Sequence, residues 1–256
     1  MQPDLLRNTT ILGKLVRLPL RAVPASMVTK IVAGPLRGMR WRVGSSVHGC
    51  WLGTYEAKKV KAIESYLRPG MVVYDLGANA GYYTLLFARR AGPTGRVVAF
   101  EPFAENLRNM LDHIRWNRLA NCQVVQAAVA SQRGLATFIP GGANSMGAIA
   151  RQEGVIRVPT VALDELIDGE GFPVPELVKM DIEGAEGDAL EGARRLLERR
   201  KTVWFIALHG AGPRERVGET LMAAGYSVRA LDGAPLSGSA AGWREEEILA
   251  LPSRRE

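Results

Sequence analysis

Residues 72–84, VVYDLGANAGYYT, and residues 97–102, VVAFEP, decide the fold class of this chain. In the first stretch an apolar run ends in an acid, Asp75, and is followed by a glycine-rich turn and a helix-like segment. In the second stretch another apolar run ends in a second acid, Glu101. This pattern predicts a strand–turn–helix–strand unit that holds a nucleoside against backbone, with Glu101 placed for the ribose hydroxyls.

The spacing of the turn helps to choose the cofactor. A nicotinamide dinucleotide places its pyrophosphate over a helix N-terminus and has the fingerprint G-x-G-x-x-G. The turn here is Gly77-x-Asn79-x-Gly81, which lacks the third glycine, and Asp75 would bring a carboxylate close to a pyrophosphate. S-adenosylmethionine has no phosphate, and an acid at the end of the first strand could accept from its ammonium. The turn therefore predicts S-adenosylmethionine as the cofactor.

The residues expected to contact this cofactor lie mostly in or beside that unit. They are Tyr55, Asp75, Gly77, Ala78, Asn79, Gly81, Thr84, Glu101, Pro102, Asn106, Ala127, Ala128 and Asp181. Tyr55 would cover the methionine end of the cofactor, although the start of a helix would also explain its neighbourhood. Ala127 and Ala128 are small enough to border adenine, and ordinary core packing is their alternative explanation.

Length and composition are those of one α/β domain with an elaborated end. The chain has 256 residues and is 47% hydrophobic, which is enough for a sizeable core. Its formal charge of +7 is spread along the sequence, which favours solvated helix faces over a nucleic-acid or lipid surface. The two cysteines, Cys50 and Cys122, cannot form a disulfide framework, so we expect a reducing, cytoplasmic location.

Apolar runs and helical segments alternate along most of the chain. Strands are predicted over residues 71–75, 96–101, 122–129, 177–181, 202–208, 226–231 and 246–251, and helices over residues 55–67, 81–91, 104–116, 185–199 and 213–224. Such alternation predicts a mostly parallel sheet with helices on both faces, and the last strands look antiparallel. We therefore expect an α/β, Rossmann-like, three-layer sandwich with a seven-stranded sheet.

Several segments, in order, resemble the FkbM family of S-adenosylmethionine-dependent methyltransferases. They are GPLRG (34–38), LGTYE (52–56), DLGANAGYYT (75–84), FEP (100–102), VALDEL (161–166) and VKMDIEGAE (178–186). The resemblance implies a class I methyltransferase fold and O-methylation of hydroxyls on sugars or natural products. One departure is the end of the fifth strand, where similar proteins often have Glu-x-His and this chain has Ala207-Leu208-His209.

Two segments lie outside the predicted alternation of strands and helices, and they indicate the domain organisation. Residues 1–54 are expected to form a basic arm and a small hairpin over residues 31–43, ahead of a methyltransferase domain over residues 55–256. Residues 131–160 break the alternation and are expected to be an inserted hairpin or lid. The arm could contact a membrane surface weakly, or pack on the domain or on a second subunit as in a homodimer. Charges and prolines interrupt its apolar stretch, so no signal peptide or transmembrane segment is expected.

Asp181, Glu183 and His209 are the candidate catalytic residues. They follow the fourth and fifth predicted strands, at the edge where open α/β sheets bind ligands. A hydroxyl acceptor must lose a proton, and a carboxylate or a neutral imidazole, which titrates near pH ~6.5, could take it. Each also has a structural alternative, such as holding a loop or favouring a helix N-terminus. Which of the three is the base is left open.

One glutamate and one histidine are expected to have structural roles. Glu186 is expected to favour the N-terminus of the following helix, and His113 to lie on the surface. The set Asp181, Glu183 and His209 would also suit Mg²⁺ or Mn²⁺. Because alanine replaces the acid at position 207, we expect no metal.

The expected acceptor is a small molecule or a glycan. Two alternatives are methylation of a nitrogen or carboxylate on a small molecule, and a partner protein that binds the cofactor without turnover. Retained acids at the strand ends argue against the second alternative. Nucleic acid is not expected as a partner, because no Asn/Asp-Pro-Pro-Tyr-like segment follows the fourth strand and no aromatic stacking platform is present.

Overall fold

The computed structural model describes residues 19–140, 147–150, 156–209 and 211–253. The chain divides into two compact units, Met1–Tyr55 and Glu56–Glu256. Most of the predicted N-terminal arm, residues 1–18, lies outside the described residues.

The first unit contains a small hairpin. Strand β1 (Val28–Lys30) pairs antiparallel with β2 (Arg40–Arg42), and helix α1 (His48–Leu52) follows. The sequence placed the hairpin at residues 31–43, so its first strand begins earlier than expected. Residues 31–39 instead form the connection, in which Gly34 and Gly38 adopt positive φ angles of 71° and 87°. Glycine takes this conformation without steric cost.

The second unit is built on a seven-stranded sheet. Its strands are β3 (Val72–Leu76), β4 (Arg96–Phe100), β5 (Cys122–Val125), β10 (Leu177–Met180), β11 (Val203–Ala207), β12 (Tyr226–Ala230) and β13 (Glu247–Pro252). The strand order is β12-β13-β11-β10-β3-β4-β5. The five strands from β11 to β5 run parallel, and β13 is antiparallel to both of its neighbours. This confirms the predicted Rossmann-like sheet with an antiparallel last strand.

Helices cover both faces of this sheet. They are α2 (Ala57–Glu64), α3 (Tyr82–Ala91), α4 (Ala104–Trp116), α5 (Leu163–Gly169), α6 (Glu186–Glu191), α7 (Arg194–Glu198) and α8 (Ala211–Ala223). Val98 packs in a cluster with Leu196 and Val217, which come from α7 and α8. The next residue, Ala99, packs with Met110 of α4. Because successive strand residues point to opposite faces, the two clusters mark two helical layers and confirm the three-layer sandwich.

The predicted third strand is divided between two sheets. Only β5 stays in the main sheet, and the rest of the predicted strand becomes β6 (Ala128–Val129) of a four-stranded sheet. The other members of this sheet are β7 (Gly134–Pro140), β8 (Gly147–Ala150) and β9 (Ile156–Val161), in the order β6-β9-β7-β8. Strand β7 pairs antiparallel with both β8 and β9 across the predicted insertion. Residues 141–146 and 151–155 lie outside the described residues, and a role as a lid stays a prediction.

The helix predicted over residues 185–199 is interrupted between α6 and α7. At Gly192 a Cβ atom would lie 2.3 Å from the Ala130 carbonyl oxygen, so this position admits no side chain. Helix α7 is capped by a residue that is distant in the sequence. The Asp164 carboxylate accepts hydrogen bonds from the Arg195 and Leu196 amides at 2.8 and 2.9 Å. Asp164 lies in α5, a helix that the sequence patterns did not predict.

Candidate active site

The glycine turn after β3 lies against the end of β10. Gly77, Asn79 and Gly81 all adopt positive φ angles, of 74°, 52° and 89°. A Cβ atom at Gly77 would lie only 2.0 Å from the Asp181 carbonyl oxygen. The turn therefore needs glycine at position 77 for two reasons, the backbone conformation and the close approach of a second strand end.

Glu101 is buried and joins this turn to the end of β4. Its carboxylate accepts hydrogen bonds from the backbone amides of Asn79 and Phe103, both at 2.8 Å. Asn106 Nδ2 also lies within reach, at 3.5 Å. Burial raises the pKa of Glu101, and these donors oppose the rise. A carboxylate offers about four acceptor positions, so Glu101 can accept further hydrogen bonds.

Asp75 lies beneath the turn and is fully buried. Thr84 donates a hydrogen bond to Asp75 Oδ2 at 2.7 Å, so the Thr84 hydroxyl is engaged with a carboxylate. Lys179 Nζ lies 3.3 Å from Asp75 Oδ1 and donates to the Gly77 carbonyl at 3.0 Å. The ion pair lacks hydrogen-bond geometry, and within the described residues Asp75 Oδ1 accepts no hydrogen bond. The turn thus rests on a buried ion pair that keeps one acceptor unsatisfied.

The three predicted catalytic side chains meet at the same edge of the sheet. Asp181 follows β10 directly, and His209 follows the neighbouring parallel strand β11. His209 Nε2 lies 3.6 Å from Asp181 Oδ1 and 3.7 Å from Glu183 Oε2. Glu183 lies in the loop after β10 and itself adopts a positive φ of 54°. The expected convergence of acids and imidazole is therefore present in the geometry.

Glu186 determines the tautomer of the His209 imidazole and raises its pKa. His209 Nδ1 lies 3.0 Å from Glu186 Oε1, and a carboxylate can only accept, so Nδ1 carries the proton and Nε2 faces the site. The hydrogen bond to Glu186 raises the pKa of His209 to about 8, against the opposing effect of burial. The imidazole consequently becomes a neutral base above neutral pH, whereas its ordinary pKa placed that change near pH ~6.5.

A buried lysine on α2 was missed by the sequence analysis. The Lys59 side chain is 3% exposed, and its ammonium donates to Glu247 Oε1 at 2.7 Å and to Asp181 Oδ2 at 3.3 Å. Glu56 Oε2 lies 3.5 Å away. A signal was present, because Lys59 is four residues before the buried Ile63 and therefore lies on the same face of the helix.

The other predicted cofactor residues fall into distinct surroundings. Ala127 and Ala128 are buried, and each packs in a hydrophobic cluster, as their core-packing alternative requires. Asn106 is buried on α4, and its Oδ1 accepts no hydrogen bond within the described residues. Tyr55 is the last residue of the first unit. Ala78 and Pro102 lie in the glycine turn and just after β4, respectively.

The predicted surface position of His113 is wrong. This side chain is fully buried, and its Nδ1 lies 2.8 Å from the Ala80 carbonyl oxygen in the glycine turn. Its spacing of three residues from the buried Met110 was the available signal, because residues at that spacing share a helix face. His113 thus braces the turn from α4.

The donor atoms of the strand-edge cluster are close enough for a cation. Single ligand atoms from Asp181, Glu183 and His209 all lie within 4.8 Å of one another. Two carboxylates and an imidazole form a donor set that suits Mg²⁺ or Mn²⁺. Both oxygens of Asp181, however, already face a side-chain nitrogen, from Lys59 and from His209. The expectation of no metal stays a prediction.

The seven-stranded sheet, with its antiparallel strand β13, is the fold of the Rossmann-like class I methyltransferases. Residues 75–228 match the family described as "Methyltransferase FkbM domain", and this match covers more than half of the chain. The chain therefore belongs to the FkbM methyltransferase family, which confirms the resemblance seen in its motifs.

Two curated relatives and one solved structure are similar over parts of the chain. Hexuronic acid methyltransferase AglP of Haloferax volcanii is 26% identical over 148 residues, 56% of this chain and 59% of the relative. Protein-L-isoaspartate O-methyltransferase 1 of Arabidopsis thaliana is 28% identical over 121 residues, 45% of this chain and 50% of the relative. The chain thus spans 59% and 50% of the lengths of these two relatives. The structure of Methyltransferase FkbM from Methylobacillus flagellatus KT has a TM-score of 0.46 at 19% identity, covering 70% of this chain and 43% of that chain.

In the part of the chain that the structure describes, no helix is both long enough and apolar enough to cross a bilayer.

Proposed function

We propose that this protein is an S-adenosylmethionine-dependent O-methyltransferase that transfers a methyl group to a hydroxyl of a sugar, glycan or natural product. One observation carries the proposal: Asp181, Glu183 and His209 converge at the sheet edge, next to the turn whose Gly77 approaches Asp181. This edge is where open α/β sheets bind their ligands. Membership of the FkbM methyltransferase family supports the reaction class.

S-adenosylmethionine is the cofactor in this proposal, and the residues of the turn fit it. Glu101 retains acceptor capacity for ribose hydroxyls. Asp75 Oδ1 and Asn106 Oδ1 are buried acceptors that receive no hydrogen bond from the part of the chain that the structure describes. Gly77 lets the backbone approach closely where a Cβ atom would collide. When bound, the cofactor supplies an activated methyl group on a sulfonium. Thr84 and Lys179 act by holding Asp75.

His209 is the base in this proposal. Its Nε2 carries the lone pair that accepts the proton of the acceptor hydroxyl, while Glu186 holds Nδ1–H and fixes the ring. Asp181 and Glu183 lie on the Nε2 side and stabilise the imidazolium that forms. Since the sulfonium is already activated, the remaining requirement on the protein is to place the acceptor oxygen in line.

The charge of the edge favours a neutral acceptor. Asp181, Glu183 and Glu186 surround His209, so an acceptor carboxylate would meet like charge in a partly buried setting. A carboxylate acceptor also needs no base. The names of the relatives nevertheless point to acidic substrates, a hexuronic acid and an isoaspartate residue. Methylation of a carboxylate is therefore the second candidate, and an amine acceptor is the third.

A screen with mass detection of the products distinguishes these acceptors. The arms are a neutral hydroxylated sugar, a hexuronic acid, an isoaspartyl peptide and a primary amine, each with S-adenosylmethionine. We expect methyl ethers on hydroxyls and loss of most turnover in His209→Ala. If the products are methyl esters and His209→Ala retains turnover, the proposal is wrong and the acceptor is a carboxylate. A parallel arm with a chelator should leave turnover unchanged, and its loss would establish a metal requirement.

The proposed location of the protein is the cytoplasm. Neither Cys50 nor Cys122 forms a disulfide within the described residues, which is compatible with this location. Homodimer formation and contact of the N-terminal arm with a membrane surface stay predictions, because residues 1–18 lie outside the described part of the chain.

A further inference from the structure

We propose that Lys59 is a positioning residue of the candidate active site: its buried ammonium, tethered by Glu247, pairs with the Asp181 carboxylate and fixes its orientation at the strand edge. This inference rests on the proposed methyl transfer, in which Asp181 stabilises the imidazolium of His209. Lys59 itself touches neither the proposed base nor any reacting atom.

The position of Lys59 is fixed from several elements at once. Its ammonium lies 2.7 Å from Glu247 on β13, 3.3 Å from Asp181 after β10 and 3.5 Å from Glu56 before α2. It also lies 5.6 Å from the centre of the Tyr83 ring on α3, within the range of a cation–π interaction. Tyr83 in turn donates to Glu56 at 2.7 Å. These contacts hold the Lys59 ammonium in its buried position, away from solvent.

The register of the sheet explains the part played by Glu247. In the antiparallel pair β11–β13, Glu247 lies directly opposite Ala207. Paired residues of this kind project on the same face of a sheet, so β13 brings a carboxylate to the end of β11 where β11 itself has only a methyl group. This carboxylate makes the shortest contact to Lys59. Glu247 therefore anchors the ammonium on one side while Asp181 meets it on the other.

The charges around Asp181 show why the ammonium matters. Lys59 from α2, Lys179 on β10 and His209 after β11 face it as cations or potential cations, and Glu183 and Glu247 as anions. Burial alone would raise the pKa of Asp181, but Lys179, Lys59 and His209 together lower it. Lys59 is the cation that hydrogen-bonds this carboxylate. Its removal would leave Lys179 and His209 as the cations beside Asp181 and would shift the carboxyl toward its protonated form.

The test replaces Lys59 with methionine, which keeps the length of the stem and removes the charge. In Lys59→Met the titration midpoint of the Asp181 carboxyl, followed by ¹³C NMR, should rise by about one pH unit. Asp181 stays ionised near neutral pH in this variant, but it loses the contact that orients it. The kcat for the acceptor should therefore fall about tenfold, with the affinity for S-adenosylmethionine changed less. Lys59→Arg should restore the midpoint. The matched control is Lys58→Met, an exposed position on the same helix, which should change neither value.

Several results would overturn the proposal. An unchanged Asp181 midpoint in folded Lys59→Met would do so, and so would a loss of kcat that Lys59→Arg does not rescue. If Lys59→Met does not fold, Glu247→Ala removes the acceptor that tethers Lys59, and an unchanged kcat in that variant would equally refute the role. The NMR titration needs no acceptor. Absence of turnover in the wild-type protein would therefore refute the proposed function, whereas the NMR titration would still test whether Lys59 acts on Asp181.

Discussion

His209 has a carboxylate opposite each of its ring nitrogens, and this arrangement makes its protonation sensitive to pH. The hydrogen bond to Glu186 raises its pKa to about 8, above the unfolded value of about 6.5. The favourable charge pairing is thus fully present below the unfolded pKa and is lost as pH rises through the folded pKa. Activity runs in the opposite direction, because only the neutral imidazole can accept a proton.

Replacement of Glu186 by glutamine tests this account of the imidazole. The amide carries no charge, so in Glu186→Gln the pKa of His209 should fall toward its ordinary value. The rise of kcat/KM with pH should then move to lower pH, as measured by initial rates between about pH 6 and about pH 9. The control is Glu191→Gln, on the same helix, because Glu191 pairs with Arg194 and Arg216. An inflection that stays near pH 8 in Glu186→Gln would show that another group is titrating.

Gly77 offers a second test at the scale of one residue. In Gly77→Ala the new methyl group must enter a space 2.0 Å from the Asp181 carbonyl oxygen, at a φ of 74°. Left-handed strain costs roughly 1–2 kcal/mol, and overpacking adds roughly 1–3 kcal/mol. Gly233→Ala has the same strain with no atom within 4 Å of the new Cβ. Urea unfolding should therefore show a clearly larger loss in Gly77→Ala, and equal losses would refute the close approach.

At the scale of elements, local patterns predicted what local forces determine. The helix over residues 104–116 was predicted with the bounds of α4, because its apolar spacing and polar flanks lie within the segment. The break between α6 and α7 was not predicted, because it depends on Ala130 and Asp164, which are distant along the chain. Tertiary contacts of this kind leave no trace in the periodicity of the helix itself.

Asp164 allows the break to be tested. It accepts from two backbone amides at the start of α7, as a helix cap does, so Asp164→Ala should cost about 1–2 kcal/mol of unfolding free energy. Asp168→Ala is the control, because Asp168 is exposed and only pairs with surface arginines, an interaction worth about 0–1 kcal/mol. Chemical denaturation of both variants gives the comparison. Similar losses would mean that the long-range cap contributes little.

At the same scale, the candidate site could be predicted only in part. The order of strands placed Asp181 and His209 together, because parallel neighbours end at the same edge of a sheet. Lys59 and Glu247 were missed, because a lysine-rich helix resembles a solvated face and the register of β13 cannot be read from its sequence. Motif spacing therefore predicts the residues at strand ends, and only the assembled sheet shows what holds them.

At the scale of the whole molecule, net charge and site charge have opposite signs. The chain carries a formal charge of +7, yet the proposed acceptor edge collects Asp181, Glu183, Glu186 and Glu247 around His209 and Lys59. Net charge governs solubility and long-range encounter, whereas the local arrangement governs the groups that bind at the edge. Composition alone thus gave no indication of an acidic site.

Ligand-dependent stability connects the turn to the whole fold. A ligand that binds only the folded state at 100 times its Kd stabilises it by about 2.7 kcal/mol, so S-adenosylmethionine should raise the Tm of the wild-type protein. Glu101→Ala removes the proposed ribose contacts, and a loss of about 100-fold in affinity would leave about 0.4 kcal/mol at the same concentration. Thermal unfolding with and without ligand measures the difference, which separates binding from any intrinsic destabilisation of the variant. Glu105→Ala, exposed on α4, should keep the full ligand effect. Equal ligand-induced shifts in Glu101→Ala and the wild type would place the nucleoside elsewhere on the molecule.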